Sequence, residues 1–136
     1  MPAGPPRRAL GEERGSSPVE FVLVGTLLTL LTLAVMQLAL AVYVRNVVHD
    51  AAVEGAYYAA LADTTTEQGA ERARTAITRA VGAGYAGDVS VVRSTRGDQP
   101  TIEVRIRTTL PVIGLLGVPL ALEVRARAPE ESWDAG

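Results

Sequence analysis

The chain has 136 residues, 15 acidic and 13 basic side chains, and a formal net charge of −2. This balance gives no overall positive field for nucleic acid, and the absence of cysteine excludes disulfides, thiolate metal sites and cysteine nucleophiles. Histidine occurs once and the length leaves room for one small domain beside a membrane segment, so we predict no enzyme, catalytic residue, cofactor, metal or small-molecule substrate.

Residues 1–15 are polar and interrupted by proline and glycine, with too few apolar side chains to form a core. We predict a disordered leader here. Three of its residues are basic, namely Arg7, Arg8 and Arg14.

An uninterrupted apolar run extends from Phe21 to Val44, with no charged residue between Glu20 and Arg45. As a helix it would be about 36 Å long, enough to cross a hydrocarbon core of about 30 Å. The run therefore predicts one transmembrane helix.

The charges that flank this run predict its orientation. The N-terminal side carries three arginines, whereas Arg45 on the other side is soon followed by Asp50 and Glu54. The basic excess places the N-terminus in the cytoplasm and the C-terminal domain outside it. The alternative is a cleaved signal peptide with a small-residue site at Ala39–Ala41, but the apolar run is longer than the usual signal core.

Gly15 ends the basic leader, and Glu20 stands five residues after it, directly before the apolar run. This pattern is typical of a prepilin processing site, with the cut between Gly15 and Ser16. The new α-amine at Ser16 would then be a cation close to the Glu20 carboxylate, in the same or a neighbouring subunit, and we predict that this pair guides assembly. A plain helix start, with Ser17 as N-cap and Pro18 in the first turn, explains the same residues and is compatible with processing.

Beyond the run, mostly small apolar residues continue at helical spacing and predict a close contact with another helix or a sheet. They are Val44, Val47, Val48, Ala51, Ala52, Gly55, Ala59 and Ala62. Thr64 and Glu67 form a capping box that opens a second helix ending near Val81. We expect Ala70, Ala73, Ile77 and Val81 on one side of it.

Residues 82–87 match the glycine spacing of a dinucleotide-binding loop, but a helix precedes them and strand-like residues follow. That order is the reverse of the one such a loop needs, so we interpret the segment as a turn. Three strands are predicted at Val89–Ser94, Thr101–Thr108 and Leu120–Ala128, the last two alternating apolar and charged residues. The tripeptide Arg96–Asp98 between the first two is interpreted as an ordinary turn rather than an adhesion motif.

Residues 110–119 are uncharged and largely apolar. Such a loop is expected to cover the core, touch the bilayer or meet a partner, with Leu115 and Leu116 as the central candidates for interaction. Asp50 and Glu54 lie one helical turn apart, but two carboxylates supply too few oxygens for calcium, so we interpret them as a solvated face.

Three passages together resemble the TadE-like family of pilus assembly proteins, the minor pseudopilins of tight-adherence type IV pilus systems. They are Arg14–Phe21 with the apolar run, Arg45–Ala60, and the Leu-Pro-Gly-rich loop 110–119 with the alternating strand after it. The resemblance implies a bacterial cell-membrane protein whose leader is removed by a prepilin peptidase between Gly15 and Ser16, with Glu20 as the assembly residue. It also implies other pilins or pseudopilins and the pilus machinery as partners, with membrane lipid around the helix.

The fold predicted is α+β: a long N-terminal transmembrane helix continuing outside the membrane, a second short helix and a small antiparallel sheet. The parts are a leader at 1–15, the helix and its extension at 16–62, an extracytoplasmic domain at 63–128 and a flexible tail at 129–136. The alternative function is an unprocessed single-pass protein whose outer domain is a sensor or ligand-binding module.

Overall fold

The computed structural model describes residues 2–5, 12–110 and 121–131. Helix α1 covers Glu12–Ala60 and helix α2 covers Thr66–Val81, followed by a short 3-10 turn at Ala83–Tyr85. Three strands complete the order: β1 at Asp88–Arg96, β2 at Gln99–Thr109 and β3 at Ala121–Pro129. The α+β class is confirmed. The chain forms two compact units, Met1–Met36 and Gln37–Gly136.

The start of α1 differs from the prediction. The helix begins at Glu12, so Pro18 lies inside it and Ser17 is not its N-cap. The helix propensity of glutamate at residues 12 and 13 favours this earlier start.

The start of α2 also differs, by one residue. Thr65 is the N-cap: its hydroxyl accepts a hydrogen bond from the Gln68 backbone N–H at 3.2 Å, and the Gln68 side chain accepts one from the Thr65 N–H at 2.9 Å. The predicted box of Thr64 and Glu67 is therefore wrong. The Thr64 hydroxyl instead donates to carbonyl oxygens near the end of α1, at Tyr58 (2.5 Å) and Leu61 (2.9 Å).

The sheet is an antiparallel meander in the order β1-β2-β3. Val104 in the central strand lies opposite Val91 on one side and Ala126 on the other. Gly97, in the two-residue turn between β1 and β2, has a φ of 66°, whereas Asp98 does not have a positive φ. This is the pattern of a type II′ hairpin turn, so the turn predicted at Arg96–Asp98 is confirmed.

The core lies within the second unit, between the sheet and the two helices. Its fully buried large side chains are Val44 and Val48 of α1, Ile77 of α2, and Ile102, Val104 and Ile106 of β2. The expected stripe on α1 is confirmed from Val44 to Ala59, while Ala62 lies beyond the helix end and is exposed. After β3, the Glu131 N–H donates to the Ala60 carbonyl at 3.0 Å and so ties the end of the sheet to the end of α1.

Candidate functional site

The three residues predicted for processing and assembly all lie within α1. Gly15, Ser16 and Glu20 are exposed, and a Cβ built on Gly15 would meet no other atom within 4 Å. Ser16 and Glu20 are four residues apart in the helix, hence one turn apart on the same face. The geometry is compatible with a pair between them, and the cut itself remains a prediction.

The apolar side chains of α1 are exposed from Phe21 to Leu40, which is most of the predicted span, whereas Val44 at its end is buried in the core. Phe21 has 80% of its surface accessible, and Leu27 and Leu38 each have 65%. By length and composition, this one helix among the described residues could cross a membrane. An exposed apolar surface of this extent requires lipid or another protein around it.

Three threonine hydroxyls inside the apolar run are hydrogen-bonded within the helix itself. Thr26, Thr29 and Thr32 donate to the carbonyls of the residues four positions earlier, at 2.7, 2.8 and 2.8 Å. A hydroxyl in hydrocarbon is costly without such a partner. Sequence reasoning did not use these residues, although polar side chains inside an uncharged run are a readable signal.

Helices α1 and α2 meet at a pair of glycines. A Cβ on Gly55 would lie 2.9 Å from both the Gly69 carbonyl oxygen and the Ala73 Cβ. A Cβ on Gly69 would lie 2.8 Å from the Gly55 carbonyl oxygen and overlap the Cβ of Ala59. Both positions therefore need glycine, and the contact explains why a helix former is absent from the first turn of α2 at residue 69.

A polar cluster lies beside this glycine contact. Arg72 of α2 donates from Nε to the Glu54 carboxylate of α1 at 2.7 Å, and its guanidinium lies 5.6 Å from the centre of the Tyr58 ring. Tyr57, the residue before Tyr58 in the chain, exposes 62% of its surface. The ion pair joins the two helices, so Glu54, which is exposed as predicted, also takes part in a helix contact.

On the outer face of the sheet, β2 and β3 carry four arginines against two glutamates. Glu103 accepts hydrogen bonds from Arg127 at 2.7 Å and Arg105 at 3.0 Å. Hydrogen bonding from Arg127, more than that from Arg105, lowers the pKa of the Glu103 carboxyl against the opposing effect of desolvation.

Glu123 makes the equivalent contacts on β3. It accepts from Arg125 at 2.6 Å and Arg107 at 3.0 Å, and Arg105 lies 3.5 Å away. The bond from Arg125, followed by the bond from Arg107, lowers the pKa of this carboxyl. Arg105 and Arg125 are directly opposed in the register, so the two glutamates offset a repulsion between like charges.

The remaining predictions concern the apolar loop, the glycine-rich stretch and a metal site. Leu115 and Leu116, with the rest of residues 111–120, lie outside the described part of the chain. The glycine-rich stretch 82–87 forms a helix-to-strand turn, as predicted. Within residues 2–5, 12–110 and 121–131, no three His, Asp or Glu side chains converge as metal ligands.

These features define a class: a small α+β domain that follows one long apolar helix able to span a membrane. Within this class, residues 15–56 match the model of the family described as TadE-like protein. The match contains the apolar run and most of the passage Arg45–Ala60 and ends at Ala56, so the resemblance to the TadE-like family is confirmed over this segment. This family match points to a Tad pilus-associated protein.

Searches of the curated proteins and of the solved structures found no match. The family match therefore lies entirely within α1, and no comparison covers the residues after 56.

Proposed function

We propose that this chain is a membrane-anchored minor pseudopilin that takes part in assembling a surface pilus of the Flp/Tad type. The observation that carries the proposal is the family match at residues 15–56, which contains the processing pattern and the exposed apolar helix. On this proposal the N-terminus is cytoplasmic and the domain of residues 63–128 is extracytoplasmic. A prepilin peptidase, other pilins or pseudopilins, and the assembly machinery are its partners.

The position of Pro18 in the helix is compatible with processing. In a helix that starts at Glu12, the missing N–H of Pro18 leaves the Arg14 carbonyl without its usual helical donor, which weakens the turn that contains Gly15 and Ser16. In a mature chain beginning at Ser16, Pro18 would lie in the first turn, where backbone N–H groups have no helical partner in any case.

The experiment is to express the full chain with and without an active prepilin peptidase and to identify its N-terminal peptides in the membrane fraction by mass spectrometry. We expect a peptide that begins at Ser16 only when the peptidase is present. Gly15→Val should abolish it. Gly25→Ala is the matched control, because Gly25 lies in the same helix with nothing within 4 Å of a built Cβ.

A chain that begins at Met1 despite cleavage of a known prepilin in the same cells would contradict processing and favour an unprocessed anchor. A chain that begins at Val42 would instead indicate a signal peptide.

A further inference from the structure

A crevice of about 390 Å³ opens between α1 and β3, the edge strand of the described sheet, within the second unit. Arg45, Asn46 and His49 line it from the helix, and Glu123 and Arg125 line it from the strand. Arg45 and His49 are one helical turn apart, so both side chains leave the helix on the same face.

The crevice has an excess of positive charge. Its one carboxylate, Glu123, already accepts from Arg125 and from Arg107, and its lowered pKa keeps it ionised in those pairs. Arg45 makes no ion pair with any residue in the described part of the chain. Asp50 is next to His49 in sequence and does not line the crevice.

The chemistry of this lining suits an oxyanion. The Arg45 guanidinium, the Asn46 amide and the His49 imidazole supply N–H donors from the helix. Arg125, whose Nε is bonded to Glu123, offers its remaining N–H groups from the strand. Guanidinium forks match the geometry of phosphate oxygens and bind them by paired hydrogen bonds.

The position along the chain indicates the source of that oxyanion. Arg45 is the first charged residue after the apolar run. The headgroup layer adds roughly 5–7 Å on each side of the hydrocarbon core, and residues 45–49 advance about 6 Å along a helix. When the apolar run spans a bilayer, the crevice residues of α1, within 45–49, therefore lie at the depth of the lipid headgroups.

We propose that this crevice binds the phosphodiester headgroup of an anionic phospholipid in the leaflet next to the C-terminal end of the apolar run. The proposal rests on the membrane-spanning part of the proposed function and is independent of leader cleavage. A headgroup bound in this way contacts both α1 and β3. It therefore holds the sheet at a fixed distance from the membrane surface.

The test uses the full chain in nanodiscs of equal parts phosphatidylglycerol and phosphatidylcholine. Native mass spectrometry of the released protein counts the lipids it retains, and alkaline extraction of the same chain from vesicles reports insertion separately. Arg45→Gln combined with Arg125→Gln removes two crevice charges. Arg79→Gln combined with Arg96→Gln removes two exposed charges elsewhere and is the matched control.

We expect the unchanged chain and the control to retain phosphatidylglycerol in preference to phosphatidylcholine. The crevice variant should lose this preference by roughly thirtyfold, because two arginines near anionic lipid are removed. Equal retention of both lipids by the unchanged chain, or undiminished preference in the crevice variant, would overturn the proposal.

Inorganic phosphate distinguishes the two possible sources of the oxyanion. If millimolar phosphate displaces the lipid, and binds the chain in micelles through the same two arginines, the site is a phosphate-ion site and the lipid assignment is wrong. If the chain is extracted by alkali, both the membrane anchor and the lipid site are refuted. If it inserts without lipid preference, only the lipid site is refuted.

Discussion

Gly55 of α1 and Gly69 of α2 lie so close that a Cβ on either would come within 2.9 Å of the other's carbonyl oxygen. This contact sets the distance between the two helices beside the core. It also places Glu54 and Arg72 near enough for their ion pair at 2.7 Å.

Gly69→Ala tests the importance of that contact. Alanine normally favours a helix over glycine by about 0.5–1 kcal/mol, but here its Cβ would overlap Ala59, and overpacking costs about 1–3 kcal/mol. We therefore expect a net loss of stability, measured as a lower melting temperature by circular dichroism of the full chain in micelles. Gly84→Ala is the control, since nothing lies within 4 Å of its built Cβ. An increase in melting temperature for Gly69→Ala would show that the helices separate easily.

The loss of folding stability at acid pH should depend on Glu103. Its pKa is lowered in the folded chain below the ordinary value of 4.5, so its contribution is present above pH 4.5 and is lost as the pH falls through the folded pKa. Glu103→Gln should reduce stability at pH 7 and flatten the decline below pH 4.5, measured by denaturant unfolding at several pH values. Glu71→Gln is the control, because Glu71 makes a single exposed contact at 3.4 Å. An unchanged acid slope in Glu103→Gln would show that the arginine contacts contribute nothing.

The hairpin turn should depend on Gly97 and not on its neighbour in sequence, Asp98. Gly97 has a φ of 66°, where a side chain costs about 1 kcal/mol, so Gly97→Ala should lower the free energy of unfolding by that amount. Asp98→Ala should change it by less than about 0.5 kcal/mol, as for most surface substitutions. Equal effects of the two substitutions would argue that the tripeptide is not simply a turn.

Glu20→Gln addresses assembly rather than folding. The Glu20 side chain is exposed one helical turn from Ser16, so the substitution should leave membrane insertion unchanged. On the proposed function, with a mature chain that begins at Ser16, filament yield should fall by about tenfold, the effect of losing one charge-assisted contact of about 1.4 kcal/mol with the α-amine. Electron microscopy of sheared filaments measures this, with Asp63→Asn as the control. Normal pili in Glu20→Gln cells would show that the charge is dispensable.

Local patterns in the sequence predicted the elements well. The alternation of Ile102, Val104 and Ile106 with charged residues gave the central strand and its buried face, because the period of a strand is two residues. The helix starts were less predictable. Thr64 with Glu67 and Thr65 with Gln68 are equally good capping boxes in sequence, and the choice depends on Thr64 bonding to the end of α1.

Contacts between distant parts of the chain could not be predicted. Gly69 is unfavourable within a helix until Ala59 is placed against it. The crevice combines Arg45 with Arg125, which are 80 residues apart, and depends on which strand lies at the sheet edge. Alternation predicts the face of a strand but not its neighbours.

The three threonines of the apolar run affect how readily this helix can move from lipid into contact with other helices. Since Thr26, Thr29 and Thr32 bond to their own helix, they require no external donor or acceptor. This part of the helix can exchange lipid neighbours for the apolar flanks of other helices without leaving a hydroxyl unmatched at any stage. On the proposed function, a subunit would move from the bilayer into a filament. The hydrogen bonds of these three hydroxyls would then contribute almost no free-energy difference between the two environments. Helix packing would decide which environment is favoured.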